Sequence, residues 1–350
     1  MNADAFMWLG ARKVAVFRAL MLGDMLCAVP ALRALRHALP NAEIVLVGLP
    51  WASAWVARCP QVDRFVHFPG FPGLPEQKPD LQAIPPFLRA MQQERFDVAL
   101  QCHGSGLLTN ALVSLFGARH SAGFLVTGAH TLQTGCAWPE EGDEIERLLM
   151  LTDALGIPRA GEALEFPLRP EDDVALLAAC PELAMARSIV CLHAGAQLPS
   201  RRWWPERFAE VASRLADRGH TVVLTGTAGE SDVADAIAAQ APGGIINLAG
   251  RTTLWTLGAL LRRARLLVCN DTGVSHVAAA LGTRSVVISS GADVSRWSPR
   301  DRQRHRVLWA PMACRPCSHR VCPTGHECAA AIAVGDVTTA AFAVLDEVAA

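Results

Sequence analysis

Residues 266–282 read LLVCNDTGVSHVAAALG, and this stretch decides the fold. Leu266–Cys269 is an unbroken apolar run that ends on Asn270, the length of a strand. Ser275–Leu281 continues at helical spacing, and Asp271, Thr272 and Gly273 lie between the two. A strand that is apolar throughout is buried on both faces, which is the mark of a parallel sheet covered by helices. The alternation extends outward from here. Strands are expected at Ser188–His193, Thr221–Thr225, Ile245–Leu248 and Ser285–Ser289. Helices are expected at Pro205–Arg218, Glu230–Ala239 and Leu254–Arg263, the first with proline in its opening turn.

A second series precedes it. Lys13–Arg18, Glu43–Leu49, Val62–Phe68 and Asp97–Cys102 read as strands, and Asp24–Ala38 as a helix with Leu26, Val29, Leu32 and Leu35 on one face. Between Glu165 and Arg187 the alternation weakens. The expected organisation is an α/β domain over 1–170, a linker over 171–187, a second α/β domain over 188–335 and a C-terminal helix within 336–350. The length, 350 residues, agrees with two domains of roughly 150–200 residues each.

Hydrophobic residues make up 51% and charged residues 19%, so the chain can fill two cores and is not a disordered protein. The net charge of −1 removes a global electrostatic case for nucleic acid as a partner. No apolar run approaches the roughly 18–20 residues of a membrane span. The segment before Lys13 lacks the apolar centre of a signal peptide. The reading is of a soluble cytoplasmic protein, whose eleven cysteines do not imply a disulfide framework.

In open parallel sheets ligands gather at the carboxyl ends of the strands, so the loops after Arg18, Cys102, His193, Thr225 and Asn270 carry the functional candidates. Leu22-Gly23-Asp24 stands at a strand-to-helix turn. Asp24 reads either as the helix N-cap or as a carboxylate able to deprotonate a hydroxyl. Asn270-Asp271-Thr272-Gly273 opens a helix whose free N–H groups suit phosphate oxygens. Asp271 can accept from sugar hydroxyls, and His276 lies one turn in. His193-Ala194-Gly195-Ala196 and Arg201-Arg202-Trp203-Trp204-Pro205 combine a tight turn with guanidinium groups fit for a diphosphate. The loop Thr225–Glu230 offers Glu230 for ribose hydroxyls or as a first-turn helix carboxylate. No G-x-G-x-x-G, P-loop, G-x-S-x-G or H-E-x-x-H pattern occurs at these places.

Three elements in this order resemble the family 9 glycosyltransferases, the lipopolysaccharide heptosyltransferases. They are Leu22–Leu26 with Pro30–Leu35, His193–Ala196 with Arg202–Pro205, and Asn270–Gly282. The resemblance implies a GT-B fold, two Rossmann-like doubly wound domains facing a central cleft, with the first binding the acceptor and the second the nucleotide-sugar donor. It implies an inverting transfer from an ADP-heptose-like donor to a lipid A-linked inner-core acceptor. Asp24 is then the base, and Arg202 contacts the donor phosphates. Asp271 binds the donor sugar, Thr272, Gly273 and His276 flank the diphosphate, and Gly195, Thr225 and Glu230 complete the donor site. The doubled Trp203-Trp204 leaves open which tryptophan takes the usual packing position. No cofactor is required for catalysis, and contact with the inner face of the inner membrane is transient. An anionic acceptor should meet basic residues, for which Arg18, Arg119 and His120 are the first candidates, with Arg64 and Arg89 behind them. Other readings of the same fold are a different donor or a protein acceptor, a nucleotide-sugar epimerase, or a non-catalytic nucleotide-sugar or metal-binding protein.

Cys314, Cys317, Cys322 and Cys328 crowd into fifteen residues with His319 and His326 nearby. The cluster reads either as a structural zinc or iron site or as a loop of free thiols. Related autotransporter heptosyltransferases carry an iron-binding cysteine site.

Overall fold

The computed structural model describes residues 10–241 and 243–349. The first nine residues, part of the stretch read for a leader, and Ala350, the end of the expected terminal helix, lie outside the described residues. The chain divides into two compact units between Pro167 and Leu168.

The first unit runs β1 (Lys13–Phe17), α1 (Leu22–Cys27), α2 (Val29–Ala38), β2 (Glu43–Gly48), α3 (Ala52–Val56), β3 (Arg64–His67), α4 (Ile84–Gln93), β4 (Val98–Gln101), α5 (Thr109–Ser114), β5 (His120–Leu125), β6 (Thr134–Ala137) and α6 (Glu144–Ala154). Its six strands form one sheet of order β3-β2-β1-β4-β5-β6, and every pairing is parallel. Ala15, Phe17, Val45, Val47 and Ala99 face a core with Phe68, Phe96 and Phe116. Each buried valine or phenylalanine here contributes about 1.5–3 kcal/mol. The single helix expected over Asp24–Ala38 is two helices, interrupted at Ala28 before Pro30, which lacks the N–H to continue the ladder. Strands β5 and β6 carry no clear apolar signal, because glycine stands where the backbones press together. A Cβ at Gly135 would fall 1.8 Å from the Gly123 carbonyl oxygen.

The second unit runs α7 (Pro170–Ala179), β7 (Ile189–His193), α8 (Pro205–Asp217), β8 (Thr221–Thr225), α9 (Ser231–Gln240), β9 (Ile246–Asn247), α10 (Leu254–Arg263), β10 (Leu266–Asn270), α11 (Gly273–Leu281), β11 (Ser285–Ile288), α12 (Val294–Trp297), β12 (His305–Leu308), α13 (Glu327–Ala330) and α14 (Val334–Ala349). Its sheet has order β12-β11-β10-β7-β8-β9 and is parallel throughout. Counted from its own first strand, this is the order of the first sheet. Each unit therefore reverses direction once, between β1 and β4 and between β7 and β10. In such sheets that switch point opens a crevice at the carboxyl ends.

Two expectations need correction. Residues 171–187 are not a linker. The α7 helix starts on Arg169, whose N–H the Asp172 carboxylate accepts at 2.8 Å, and Leu176 and Leu183 are fully buried. Arg262 pairs with Asp173, and Arg263 Nη2 donates to the Leu183 carbonyl at 3.0 Å. The stretch is polar because one helix face meets water, not because it lacks structure. The terminal helix α14, for which a return to the first domain was expected, belongs to the second unit. It buries Val337, Ala341, Val344 and Leu345 in the core of the second, and its Glu347 pairs with Arg284 and Arg306. Among the described residues no helix is long and apolar enough to cross a membrane.

Candidate functional site

In the first unit β1 ends at Phe17, and the next side chain, Arg18, is only 1% exposed. Its Nε and Nη2 donate to the main-chain carbonyl of Asp24 at 3.0 and 2.8 Å. Its Nη1 donates to the Cys102 carbonyl, and Nη2 also meets Glu144 Oε1 at 3.0 Å. Burial works against this charge, but Glu144 and Asp24 outweigh it and the guanidinium pKa is raised. The Leu22-Gly23-Asp24 turn is thus tied to the switch point between β1 and β4. Two further groups hold it. His103 Nδ1 accepts the Ala19 N–H at 3.2 Å, while its Nε2 faces Glu76 Oε1 at 3.3 Å and its ring stacks on Phe17. Burial pushes the Glu76 carboxyl up, but the hydrogen bond from His103 prevails and the net shift is downward. Trp51 Nε1 donates to the Leu20 carbonyl at 3.1 Å.

Asp24 itself is the third residue of the α1 helix, not its N-cap, which is Met21. Its Oδ2 reaches back to accept the Met21 N–H at 3.3 Å. The side chain is half-buried.

Of the three first acceptor candidates, only Arg18 stands at this turn, where it is enclosed and its donors are taken up by internal partners. His120 opens β5, at the amino edge of the sheet, where it aligns with Val98 and so with Val14. Asp24 lies beyond the carboxyl edge. The exposed Arg119 is on the same amino side and lies 3.3 Å from Asp97. Arg64 pairs with Glu43 and Glu94. Adjacent basic residues at a strand start read as a ligand patch in one dimension, but strand polarity sets them on the wrong edge.

In the second unit, the ends of β7, β8 and β10 come together. His193 Nδ1 lies 3.1 Å from Thr225 Oγ1, which itself donates to the Leu192 carbonyl at 3.3 Å. A hydroxyl has one proton, so His193 donates from Nδ1. Its Nε2 is 4.0 Å from Glu230 Oε2. Burial lowers the His193 pKa, with Glu230 opposing. Glu230 Oε2 accepts from the Thr227 N–H and hydroxyl at 2.8 and 2.9 Å. A Cβ at Gly195 would fall 2.1 Å from Glu230 Oε1, so the carboxylate can lie against this turn only because residue 195 is glycine. Gly195, Thr225 and Glu230 are therefore gathered as expected.

Asn270, buried at the end of β10, ties the two sides of this switch point. It donates to the Ala194 carbonyl at 2.7 Å and accepts the Trp203 N–H at 3.0 Å. Trp203 is the packing tryptophan, fully buried against Phe208, while Trp204 lies partly exposed beneath Arg207. Arg202 Nε donates to the Ala196 carbonyl at 2.8 Å. Asp271 is 9% exposed, and its Oδ2 accepts from Ser289 Oγ at 3.2 Å. Burial raises its pKa, with Arg201, Ser289, Arg315 and Arg302 opposing. Thr272 caps α11, Gly273 begins it, and His276 is buried in its first turn. The sequence reading quoted Asn270 within the Asn270–Gly273 segment without giving it a role, and it missed Glu144, His103, Ser289 and Arg315.

The four crowded cysteines do not converge as metal ligands. Among the described residues no three His, Cys, Asp or Glu side chains are grouped to hold an ion, and every cysteine is a free thiol. Cys328 is buried with its Sγ on the Ser290 carbonyl at 3.3 Å. Cys322 Sγ accepts the His326 N–H at 3.2 Å, and Cys314 is exposed. His326 turns away, with Nε2 donating to the Ser200 carbonyl at 2.7 Å. As placed, these side chains form no zinc or iron site.

Two parallel sheets of this order, each with polar loops at its switch point, are the architecture of the GT-B glycosyltransferases. The ADP-heptose heptosyltransferase II of Escherichia coli superposes with a TM-score of 0.76 at 21% identity, covering 97% of this chain and all of that one. A family 9 glycosyltransferase from Veillonella parvula gives 0.79 at 19% identity over 99% of both chains. The chain belongs to glycosyltransferase family 9 (heptosyltransferase), whose family model matches residues 86–327. In sequence it is 27% identical over 315 residues to lipopolysaccharide heptosyltransferase 2 of Salmonella typhimurium, covering 85% of this chain and 87% of that protein.

Proposed function

We propose that this glycosyltransferase moves a heptose from ADP-heptose to a lipid A-linked acceptor in the inner core of lipopolysaccharide, with inversion at the transferred carbon. Membership of family 9 carries the reading, and an aspartate at each switch point supplies its chemistry. Asp24 accepts the proton of an acceptor hydroxyl while that oxygen bonds to the anomeric carbon. The bond from that carbon to the diphosphate oxygen breaks, and its electron pair leaves with ADP. Arg202 and the N-terminus of α11 at Thr272 and Gly273 take up the developing charge, with His276 beside them. No cofactor enters this step. Glu230, set against Gly195 and Thr225, holds the ribose hydroxyls, and Asp271 holds the hydroxyls of the heptose. The enzyme works in the cytoplasm, in transient contact with the inner face of the inner membrane where its acceptor is held.

The test is release of ADP from ADP-heptose in the presence of a lipid A–octulosonate acceptor. Wild type should turn over only with both substrates, and Asp24→Ala should lose about 10²–10⁴-fold in kcat. Full activity in Asp24→Ala would remove the base assignment. Interconversion of the donor without any acceptor would favour an epimerase.

A further inference from the structure

The cysteine-rich segment plays no part in the reaction just described, yet it lies against the loops that the reaction uses. Its main chain is fastened at several points. The Cys317 N–H donates to the Gly291 carbonyl at 2.7 Å, and Ser200 N–H to the Arg320 carbonyl at 3.1 Å. Ser200 Oγ donates to the His319 carbonyl at 2.5 Å, and the His326 and Cys328 contacts complete the attachment. One charged side chain of the segment reaches further inward. Arg315 Nη2 donates to both the carbonyl and the hydroxyl of Ser289, at 2.8 and 2.7 Å. Its Nη1 donates to the Ala310 carbonyl at 3.1 Å, and the guanidinium lies over the Trp309 ring.

A guanidinium only donates, so Ser289 Oγ must accept from Arg315. The single Ser289 proton is then committed to its other neighbour, Asp271 Oδ2. With Arg315 in place, the Ser289 proton points to Asp271 Oδ2 and holds that oxygen of the carboxylate. We propose that Arg315 is a positioning residue for donor binding, acting through Ser289 on Asp271, and that the cysteine-rich segment belongs to the donor site because it delivers this arginine. The inference rests on the reading of Asp271 as the group that holds the donor sugar, and deepens it. Electrostatics act in the same direction. Burial works against the Asp271 charge, while Arg201 and Arg302 share with Arg315 the task of keeping it ionised. The thiol of Cys269 on β10 faces the same carboxylate and is held neutral by its own burial.

The experiment uses the full chain, with Asp271→Asn, Arg315→Met, Arg315→Lys and Ser289→Ala compared by titration with ADP-heptose and with ADP. Arg315→Met should weaken ADP-heptose binding about tenfold, the scale of one lost charge-assisted hydrogen bond, and leave ADP binding within about twofold. Binding needs the Asp271 carboxylate. Loss of a neighbouring cation therefore raises its pKa and moves the acid limb of the ADP-heptose binding profile to higher pH. Arg315→Lys should recover most of the affinity, and Ser289→Ala should show a smaller loss of the same kind. Equal weakening of ADP and ADP-heptose with no shift of the acid limb would mean a structural role and overturn the proposal. Unchanged binding in Arg315→Met would also overturn it. If Asp271→Asn binds ADP-heptose normally, the donor-sugar reading itself fails. If Asp271→Asn loses the sugar-dependent affinity while Arg315→Met keeps it, only the relay is wrong.

Discussion

Asp24 and Asp271 each stand at the switch point of a 3-2-1-4-5-6 sheet, Asp24 after the first strand of its unit and Asp271 after the fourth of the other, and the protein grips them differently. Around Asp24 the arginine holds the main chain. Arg18, paired with Glu144 inside the core, bonds the residue's carbonyl, and the half-buried carboxylate receives the Met21 N–H. Around Asp271 the grip falls on the carboxylate itself, which is nearly enclosed and fixed by a serine that an arginine has oriented. On the proposed roles, Asp24 as a base needs a fixed position and access to its proton donor, whereas Asp271 as a sugar-binding group needs a fixed orientation, and each grip immobilises the part of the residue that its role requires.

That contrast is open to four tests. The largest effect comes from exchanging each carboxylate for its amide. Asp24→Asn should lower kcat by about 10³-fold with the donor KM nearly unchanged, whereas Asp271→Asn should act mainly on the donor KM. Steady-state kinetics with a matched pattern for both variants would break the distinction. Next, Glu144→Gln leaves Arg18 buried without its counter-charge. Chemical denaturation should register a loss of about 3 kcal/mol, because an unpaired buried ion is not resolvated. A loss under about 0.5 kcal/mol, the scale of an exposed pair, would show that Arg18 is reached by water.

The third test concerns acid. Burial holds His305 on β12 at a pKa of about 4, with Asp301 opposing and Arg304, Arg284 and Arg302 adding to the depression, and its Nδ1 pairs with Ser285 Oγ at 2.8 Å. The unfolded chain therefore binds this proton before the folded one does. Stability is lost as pH falls below about 6.5 and the loss levels off near the folded value, for a total of about 3 kcal/mol. Denaturation midpoints between pH 7 and 4 should show it, and His305→Gln should flatten the curve. The smallest effect is expected from Gly195→Ala. The new methyl displaces Glu230, at a cost of about 1–2 kcal/mol in donor affinity and little in kcat; calorimetric titration with ADP checks it.

Much of this was legible from one dimension. The central strands, apolar on both faces, announced parallel sheets. The polar residues directly after β1, β7, β8 and β10 fell where the sheets deliver their ligand loops. What failed did so for identifiable reasons. Strands β6 and β12 are short, and β5, β6 and β12 carry glycine or polar residues in place of an apolar run. Helix α7 read as a linker because half of its surface is solvated. Arg18 resembled an acceptor contact because a buried arginine and an exposed one have the same letter, and the place of Arg119 and His120 at the amino edge was not legible because no apolar run marks β5 as a strand. The cysteines suggested a metal by their spacing alone, although spacing does not aim sulfur atoms.

By itself the sequence determined the sheet type, the presence of two similar units and the loops that carry Asp24, Arg202, Glu230 and Asp271, because periodicity and turn chemistry are local properties. Only the tertiary structure decided the partners of those residues. Arg18 meets Glu144 across 126 residues, and Arg315 meets Ser289 across 26. Such pairings depend on burial and on which loops the strand order brings together, and neither is written in the spacing of residues along the chain.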